Sequence, residues 1–359
     1  MGAQLEPSLS EEILRVVDII VSVAREWVNV EHSVRLQAEE ETLAAANRFT
    51  EEALVFAINQ QMSLLTREAL QAWAARLKAS EVKKVGVLNP GNIPLAGLQD
   101  FLGVLLSGHQ YVGSVSSCSP VLLPAFSLAL QERGLNCEVM FTYFDELISE
   151  VDAIIASGTV ETMATVRKRA SDAGMEDSQL LLRGHRFSIA VMDGRESEED
   201  MERLAEDILL HEGLGCRNVA LVWAPTGTDP DPLLEVMATY RATFPPHPES
   251  KGALEMQRAY LVAIDQPHAF ADGLEFLFSK GEPEILMPLH IRWTEYSDIN
   301  QVNGWIHTHR REIQLVVSPE SMRELLPEGI ATVEPGFAQR PELGWSQDGK
   351  DLGEFLQSI

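Results

Sequence analysis

Lys83-Lys84-Val85-Gly86-Val87-Leu88-Asn89-Pro90-Gly91-Asn92-Ile93-Pro94 is where the chain changes rhythm. Residues 85–88 form a short apolar run that reads as a buried strand. The Asn, Pro and Gly that follow are turn residues, and a helix runs on through Leu106. The alternation then repeats. Residues 111–117 predict a second strand. Ser119-Pro120 predicts a helix to about Arg133, with Pro in its first turn. Residues 138–142 and 152–156 predict two more strands. Gly158-Thr159 leads into a helix over 160–173, and 180–182 adds a fifth strand. Such βαβ units imply a parallel, doubly wound sheet, whose ligands bind at the carboxyl ends of the strands.

Before this stretch the pattern is helical. Ile13, Val16, Val17, Ile20 and Val23 follow a helical period, and a second helical stretch covers 51–79. After it a second α/β segment begins with a strand at 187–192. Met201, Leu204, Ala205, Ile208 and Leu209 mark a helix face behind the capping residue Ser197, and a strand spans 219–223. Residues 229–248 are Pro-rich and read as interrupted, partly loop. The tail from 328 to 359 reads as a loop-rich wrap over the surface or a neighbouring subunit. The expected organisation is a helical segment at 1–80, a dinucleotide-binding domain at 81–185 joined by part of 310–359, and a catalytic domain at 186–310.

The chain has 359 residues and a net charge of −26. That charge argues against nucleic acid and anionic membranes as partners, but leaves room for a small anionic cofactor at a helix N-terminus. Cys118, Cys137 and Cys216 are too few for a disulfide framework, which fits a reducing cytoplasm. No Cys or His spacing reads as a metal site, and His307 and His309 lack a partner cluster. No apolar run is long enough for a membrane span. The acidic start, with Glu6, Glu11 and Glu12, does not read as a signal peptide.

Three stretches carry candidate chemistry. Gly213-Leu214-Gly215-Cys216-Arg217-Asn218 places a thiol in a glycine turn beside a cation. A cation and backbone N–H groups enrich the thiolate, so Cys216 reads as a nucleophile or as a buried core cysteine. It is not a dinucleotide fingerprint, because the order here is helix, turn, strand. Asn92 follows a strand end and offers a side-chain N–H to a developing oxyanion, although a plain turn explains it too. Ser157-Gly158-Thr159 opens a helix and offers either a phosphate site or a simple cap.

Together these elements resemble the long-chain acyl-CoA reductases, relatives of the fatty-acid reductase of bacterial luminescence within the aldehyde dehydrogenase superfamily. The likeness runs from about Lys83 to the C-terminus. It rests on Gly91-Asn92-Ile93-Pro94-Leu95, Leu106-Ser107-Gly108-His109, Ser116-Ser117, Ala156-Ser157-Gly158-Thr159, the Cys216 turn, and Phe337-Ala338-Gln339. It implies an aldehyde dehydrogenase-like fold: a Rossmann-type cofactor domain, an α/β catalytic domain and a helical N-terminal segment. It implies that Cys216 accepts the acyl group and that the Asn92 amide and Cys216 N–H form the oxyanion hole. Ser114, Ser116, Gly158 and Thr159 would lie by the cofactor, and Glu284 by the nicotinamide ribose. The implied activity is NAD(P)H-dependent reduction of a fatty acyl thioester to the aldehyde, with NADP(H) as cofactor and NAD(H) as the alternative. The donor would be acyl-CoA or an acyl carrier, the enzyme a homo-oligomer, and an acyl-activating protein its partner. Two departures stand out. Leu182 or Arg183 occupies the place of the dehydrogenases' glutamate base, and Ser114 that of a family lysine near the adenosine ribose. The rival readings are oxidation of aldehyde to acid, and a non-catalytic binding partner in a multi-enzyme complex.

Overall fold

The computed structural model describes residues 9–77, 79, 81–135, 139–142 and 144–359. The expectations that touch Glu6, Cys137 and Glu138 lie outside these residues. The chain divides into two compact units, one of Met1–Asn47, Leu54–His185 and Glu342–Ile359, the other of Arg48–Ala53 and Arg186–Pro341. Apart from residues 48–53 the N-terminal helices therefore belong to the first unit, and of the tail only residues from Glu342 onward join them.

In the first unit, α1 (Glu11–Trp27) is capped by Ser10, whose hydroxyl accepts the Ile13 N–H, and buries Val16, Val17, Ile20, Val23 and Trp27. The helix α2 (Ser33–Leu43) was not apparent from the sequence pattern. It carries the fully buried Arg35, which donates to Glu39, to Asn59 and to the Trp27 carbonyl. The stretch read as one helix over 51–79 is two, α3 (Glu51–Leu64) and α4 (Arg67–Ala74). Thr66 is extended, at φ −84° and ψ 157°, and its hydroxyl caps Ala69, so a new helix starts there.

The first sheet contains β1 (Lys84–Leu88), β2 (Gln110–Ser114), β3 (Val139–Thr142), β4 (Ala153–Ser157) and β5 (Leu180–Arg183), all parallel in the order β3-β2-β1-β4-β5. The helices between them are α5 (Leu98–Ser107), α6 (Leu122–Glu132), α7 (Phe144–Glu150) and α8 (Val160–Asp172). The order reverses between β1 and β4, which makes that edge the crevice of the sheet. Two boundaries differ from expectation. The second strand stops at Ser114, and α6 begins after Pro120, not at it. A turn closed by Cys118 and Ser119 N–H groups on Ser116 uses up the intervening residues.

In the second unit the strands are β6 (Phe187–Val191), β7 (Val219–Pro225), β8 (His268–Phe270), β9 (Leu277–Lys280), β10 (His290–Tyr296), β11 (Ile313–Val317) and β12 (Thr332–Val333). Their order is β12-β11-β6-β7-β10-β9-β8, parallel except for β8 on β9. Its helices are α9 (Glu198–Leu209), α10 (Asp231–Thr243), α11 (Ser250–Ala263) and α12 (Ile299–His309). Ser197 and Asp200 close a reciprocal capping box on α9. The Pro-rich stretch read as partly loop holds all of α10. Its proline, Pro232, falls in the first turn, where a missing N–H costs no intrahelical bond. The tail also departs from a surface wrap. It ends in α13 (Leu352–Ser358), which buries Leu352, Phe355 and Leu356 in the first unit's core. His109 pins it: Nδ1 accepts the Lys83 N–H at 3.0 Å, so Nε2 carries the proton donated to the Leu356 carbonyl at 2.8 Å.

Candidate active site

The thiol turn is built from the end of α9. His211, Glu212 and Gly213 follow that helix with φ of 55°, 56° and 66°. Left-handed backbone is unfavourable for the two residues that carry side chains, and buried contacts hold it. Glu212 is 3% exposed. One of its carboxylate oxygens pairs with Arg241 at 2.9 Å, and the other accepts from the Ser250 hydroxyl at 2.5 Å. Gly213 is needed twice, for its φ and because a Cβ would lie 3.0 Å from the Leu289 nitrogen.

Asn218 fixes the turn itself. Its Oδ1 accepts the Gly215 N–H at 2.9 Å, while Nδ2 donates to the Asp207, Ile208 and Leu210 carbonyls. Carbonyls at a helix C-terminus lack intrahelical donors, and the Asn218 amide is the donor for these three. Between these anchors Cys216 is a half-buried thiol outside any disulfide, and its carbonyl accepts from Ser188 at 3.0 Å. Arg217 donates to the Phe337 and Ala338 carbonyls. Burial lowers its pKa to about 10, so it stays charged at neutral pH, and attraction to the Cys216 thiolate opposes that lowering. Asp207, fully buried, accepts the Gly336 and Ala338 N–H groups at 2.7 and 3.0 Å. Burial pushes its carboxyl up to about 7. The Phe337-Ala338-Gln339 segment is thus clamped to the thiol turn by Arg217 and Asp207.

In the first unit the chemistry gathers at the carboxyl ends of β1, β2 and β4. A cavity of about 550 Å³ there is lined by Asn89, Ser114, Ser116, Ser157, Glu161 and Thr165, among others. Asn89 sits at the end of β1 and ties the edge together, donating to the Tyr111 hydroxyl at 2.7 Å and the Ser114 carbonyl at 2.9 Å. Tyr111 is fully buried, which raises its phenol far above its ordinary pKa. A Cβ on Gly91 would lie 2.2 Å from Ser116 Oγ, so only glycine lets the loop after β1 press against the loop after β2. Asn92 is exposed in that first loop. Gly158 and Thr159 lead into α8, where the Thr159 hydroxyl caps the Thr162 N–H.

Residues 78–239 match the acyl-CoA reductase (LuxC) family. The fold is similar to that of aldehyde dehydrogenases throughout. Aldehyde dehydrogenase 21 from Physcomitrella patens, complexed with the reaction product succinate, superposes with a TM-score of 0.72 at 10% identity, covering 98% of this chain and 84% of that one. A lactaldehyde dehydrogenase gives 0.69 at 12%, with 97% and 85% covered. A mutant of aldehyde dehydrogenase C from Pseudomonas syringae, complexed with NAD+ and octanal, gives 0.66 at 12%, with 89% and 74% covered. No curated protein matches the chain in sequence. Residues 78–239 are LuxC-like in sequence, and the chain is aldehyde dehydrogenase-like in fold. The acyl-CoA reductase match indicates an oxidoreductase acting on aldehyde or acyl groups.

Against the LuxC-like reading, the sequence-predicted residues separate by unit. Ser114 and Ser116 line one cavity, with Gly158 and Thr159 beside it at the head of α8. Cys216 and Glu284 belong to the other unit. Glu284 reaches Arg292 at 3.1 Å and is otherwise well exposed. Leu182 is buried, and Arg183 holds both oxygens of the buried Asp100 at 2.8 and 2.7 Å. Asn89, Glu161, Asp207 and the Glu212–Arg241 pair were not singled out in the sequence. For Asn89 the signal was present, as an amide placed directly on a strand end. Among the described residues no group of three His, Cys, Asp or Glu side chains could hold a metal, and no helix is long and apolar enough to cross a membrane.

Proposed function

We propose that this protein reduces a fatty acyl thioester to the aldehyde through an S-acyl intermediate on Cys216. The observation that carries this reading is the thiol turn: a half-buried cysteine held between the Asn218 clamp and a half-buried cation at Arg217. A neighbouring cation favours the thiolate, which is the nucleophile. The thiolate attacks the thioester carbonyl, the new carbon–sulfur bond forms, and the bond to the departing thiol breaks. The Asn92 amide and the Cys216 N–H are assigned to the oxyanion, a donor set typically worth about 3–4 kcal/mol per group. At the end the Cys216–carbon bond breaks and returns the thiolate.

Acyl-CoA reductases and aldehyde dehydrogenases use nicotinamide cofactors. The first-unit cavity suits one in size, in its hydroxyl lining, and in its place at the crevice of a doubly wound sheet. When bound there, the reduced dinucleotide supplies the hydride that makes the aldehyde. Ser114, Ser116, Gly158 and Thr159 are the residues assigned to hold it, and Glu284 is assigned to the nicotinamide ribose. Oxidation to acid needs a base to activate water. Leu182 and Arg183 offer none, since one is apolar and the other is bound to Asp100, and this favours aldehyde as the product.

The test is intact-protein mass after incubation with acyl-CoAs of varied chain length. The wild-type protein gains one acyl group, and Cys216→Ala gains none and consumes no reduced cofactor. Acylation that persists in Cys216→Ala sinks the assignment.

A further inference from the structure

Of the charged groups on the first-unit cavity, one stands at the mouth of α8. Glu161 lies two residues beyond the Thr159 cap and lines the cavity with Thr162 and Thr165. Its carboxylate accepts its own backbone N–H and the Thr159 hydroxyl, which hold it below the usual carboxylate range. It is therefore a fixed negative charge where free helix N–H groups would otherwise face an anion.

Across the cavity, the loop after β2 offers the hydroxyls of Ser114, Ser116 and Ser117. Among the described residues that line it there is no lysine or arginine. Arg167, on the same helix, is turned to Asp177 at 2.5 Å. A phosphate on the adenosine ribose carries nearly two negative charges and is ordinarily matched by arginine or lysine. A ribose diol needs only donors and acceptors, which serine hydroxyls supply.

We propose that this cavity selects the dinucleotide without the 2′-phosphate, NAD(H), over the NADP(H) that the family resemblance implies, and that Glu161 is the residue rejecting the phosphate. The proposal rests on the reading of this cavity as the cofactor site. Selectivity follows from charge: a 2′-phosphate adds negative charge to a cavity whose described lining holds one carboxylate and no cation, whereas the unmodified ribose adds none.

Fluorescence titration of the full chain with NADH and with NADPH tests this without turnover. NADPH should bind at least about tenfold more weakly than NADH. Glu161→Gln should narrow that ratio by tightening NADPH more than NADH. The side chain is exposed, and circular dichroism checks that the variant is folded. NADPH binding as tightly as NADH, or tighter, overturns the selectivity. A ratio unchanged in Glu161→Gln overturns the role of Glu161. Failure of both dinucleotides to bind removes the cofactor site itself and this proposal with it, and leaves acylation of Cys216 to be judged separately by mass.

Discussion

Both units are α/β sheets with a cavity at the carboxyl ends of their strands, but the linings differ in kind. In the first unit the cavity is walled by serine and threonine hydroxyls with one carboxylate. In the second, a cavity of about 630 Å³ past β6 and β7 is walled by Glu196, Glu198, Asp229 and Glu235. No lysine or arginine is among its described lining residues. The rule that ligands bind at the carboxyl edge finds both crevices, and the first, with one carboxylate against four, is the less repulsive of the two to a dinucleotide's phosphates. The second unit places its candidate chemistry elsewhere: Cys216 precedes β7, at that strand's amino end. A crevice at a carboxyl edge can be formed by exposed loop residues. A thiol at an amino edge has to be held there, and buried polar groups hold it.

That contrast is easiest to break at Glu212. Glu212→Ala leaves the buried Arg241 guanidinium without its partner and frees a strained bend. It should cost about 3–5 kcal/mol, read from the midpoint of urea unfolding. Glu161→Gln, on the exposed crevice, should leave the urea midpoint nearly unchanged. Equal effects from the two substitutions would show that the thiol turn is no more dependent on its interior than the crevice is on its surface.

The same contrast explains what could be read in the sequence. The sheet of the first unit was legible because its strands are short apolar runs separated by turn residues, and apolar periodicity is a local signal. Cys216, Asn92 and the serines stood out as candidates because turn chemistry surrounds them. Resemblance to a family did the rest. The breaks and caps were less so. Thr66 starts a new helix with a single hydroxyl, and Pro232 sits harmlessly in a first turn. The clamp on the thiol turn was not legible at all. Asp207 meets Gly336 and Ala338 from far along the chain, and no local pattern marks a carboxylate that will be buried against distant backbone.

Asp207 gives the clamp a pH dependence of known sign. Its folded pKa, about 7, is raised by burial above the ordinary value of 3.8. The native state therefore holds a proton that the unfolded chain has released between those values. The associated stability is complete below about pH 4 and is lost as pH rises to about 7, on the order of 4 kcal/mol across the window. His211 and His290, lowered to about 4 by burial, act in the opposite sense. They cancel when the wild type is compared with Asp207→Asn. The wild type should lose stability relative to Asp207→Asn between pH 4.5 and 7.5, measured by denaturant unfolding. A difference that stays flat with pH would mean that Asp207 is ionised in the fold.

The smallest effect sharpens the comparison of the two cavities directly. Ser116→Trp fills the hydroxyl-lined crevice beside Gly91 and should weaken dinucleotide binding at least about tenfold, or about 1.4 kcal/mol. Glu235→Gln, on the acid-lined crevice, removes a charge that the dinucleotide never meets and should leave binding within about twofold. Glu235 is exposed, whereas Ser116 is half-buried and its hydroxyl accepts the Cys118 N–H, so circular dichroism checks that Ser116→Trp is folded. If Glu235→Gln tightens binding while Ser116→Trp does nothing, the dinucleotide occupies the acid-lined crevice after its negative charge is relieved. The hydroxyl lining would then not have been the deciding chemistry. If the effects fall as expected, lining charge decides which of two crevices on one chain is the cofactor site.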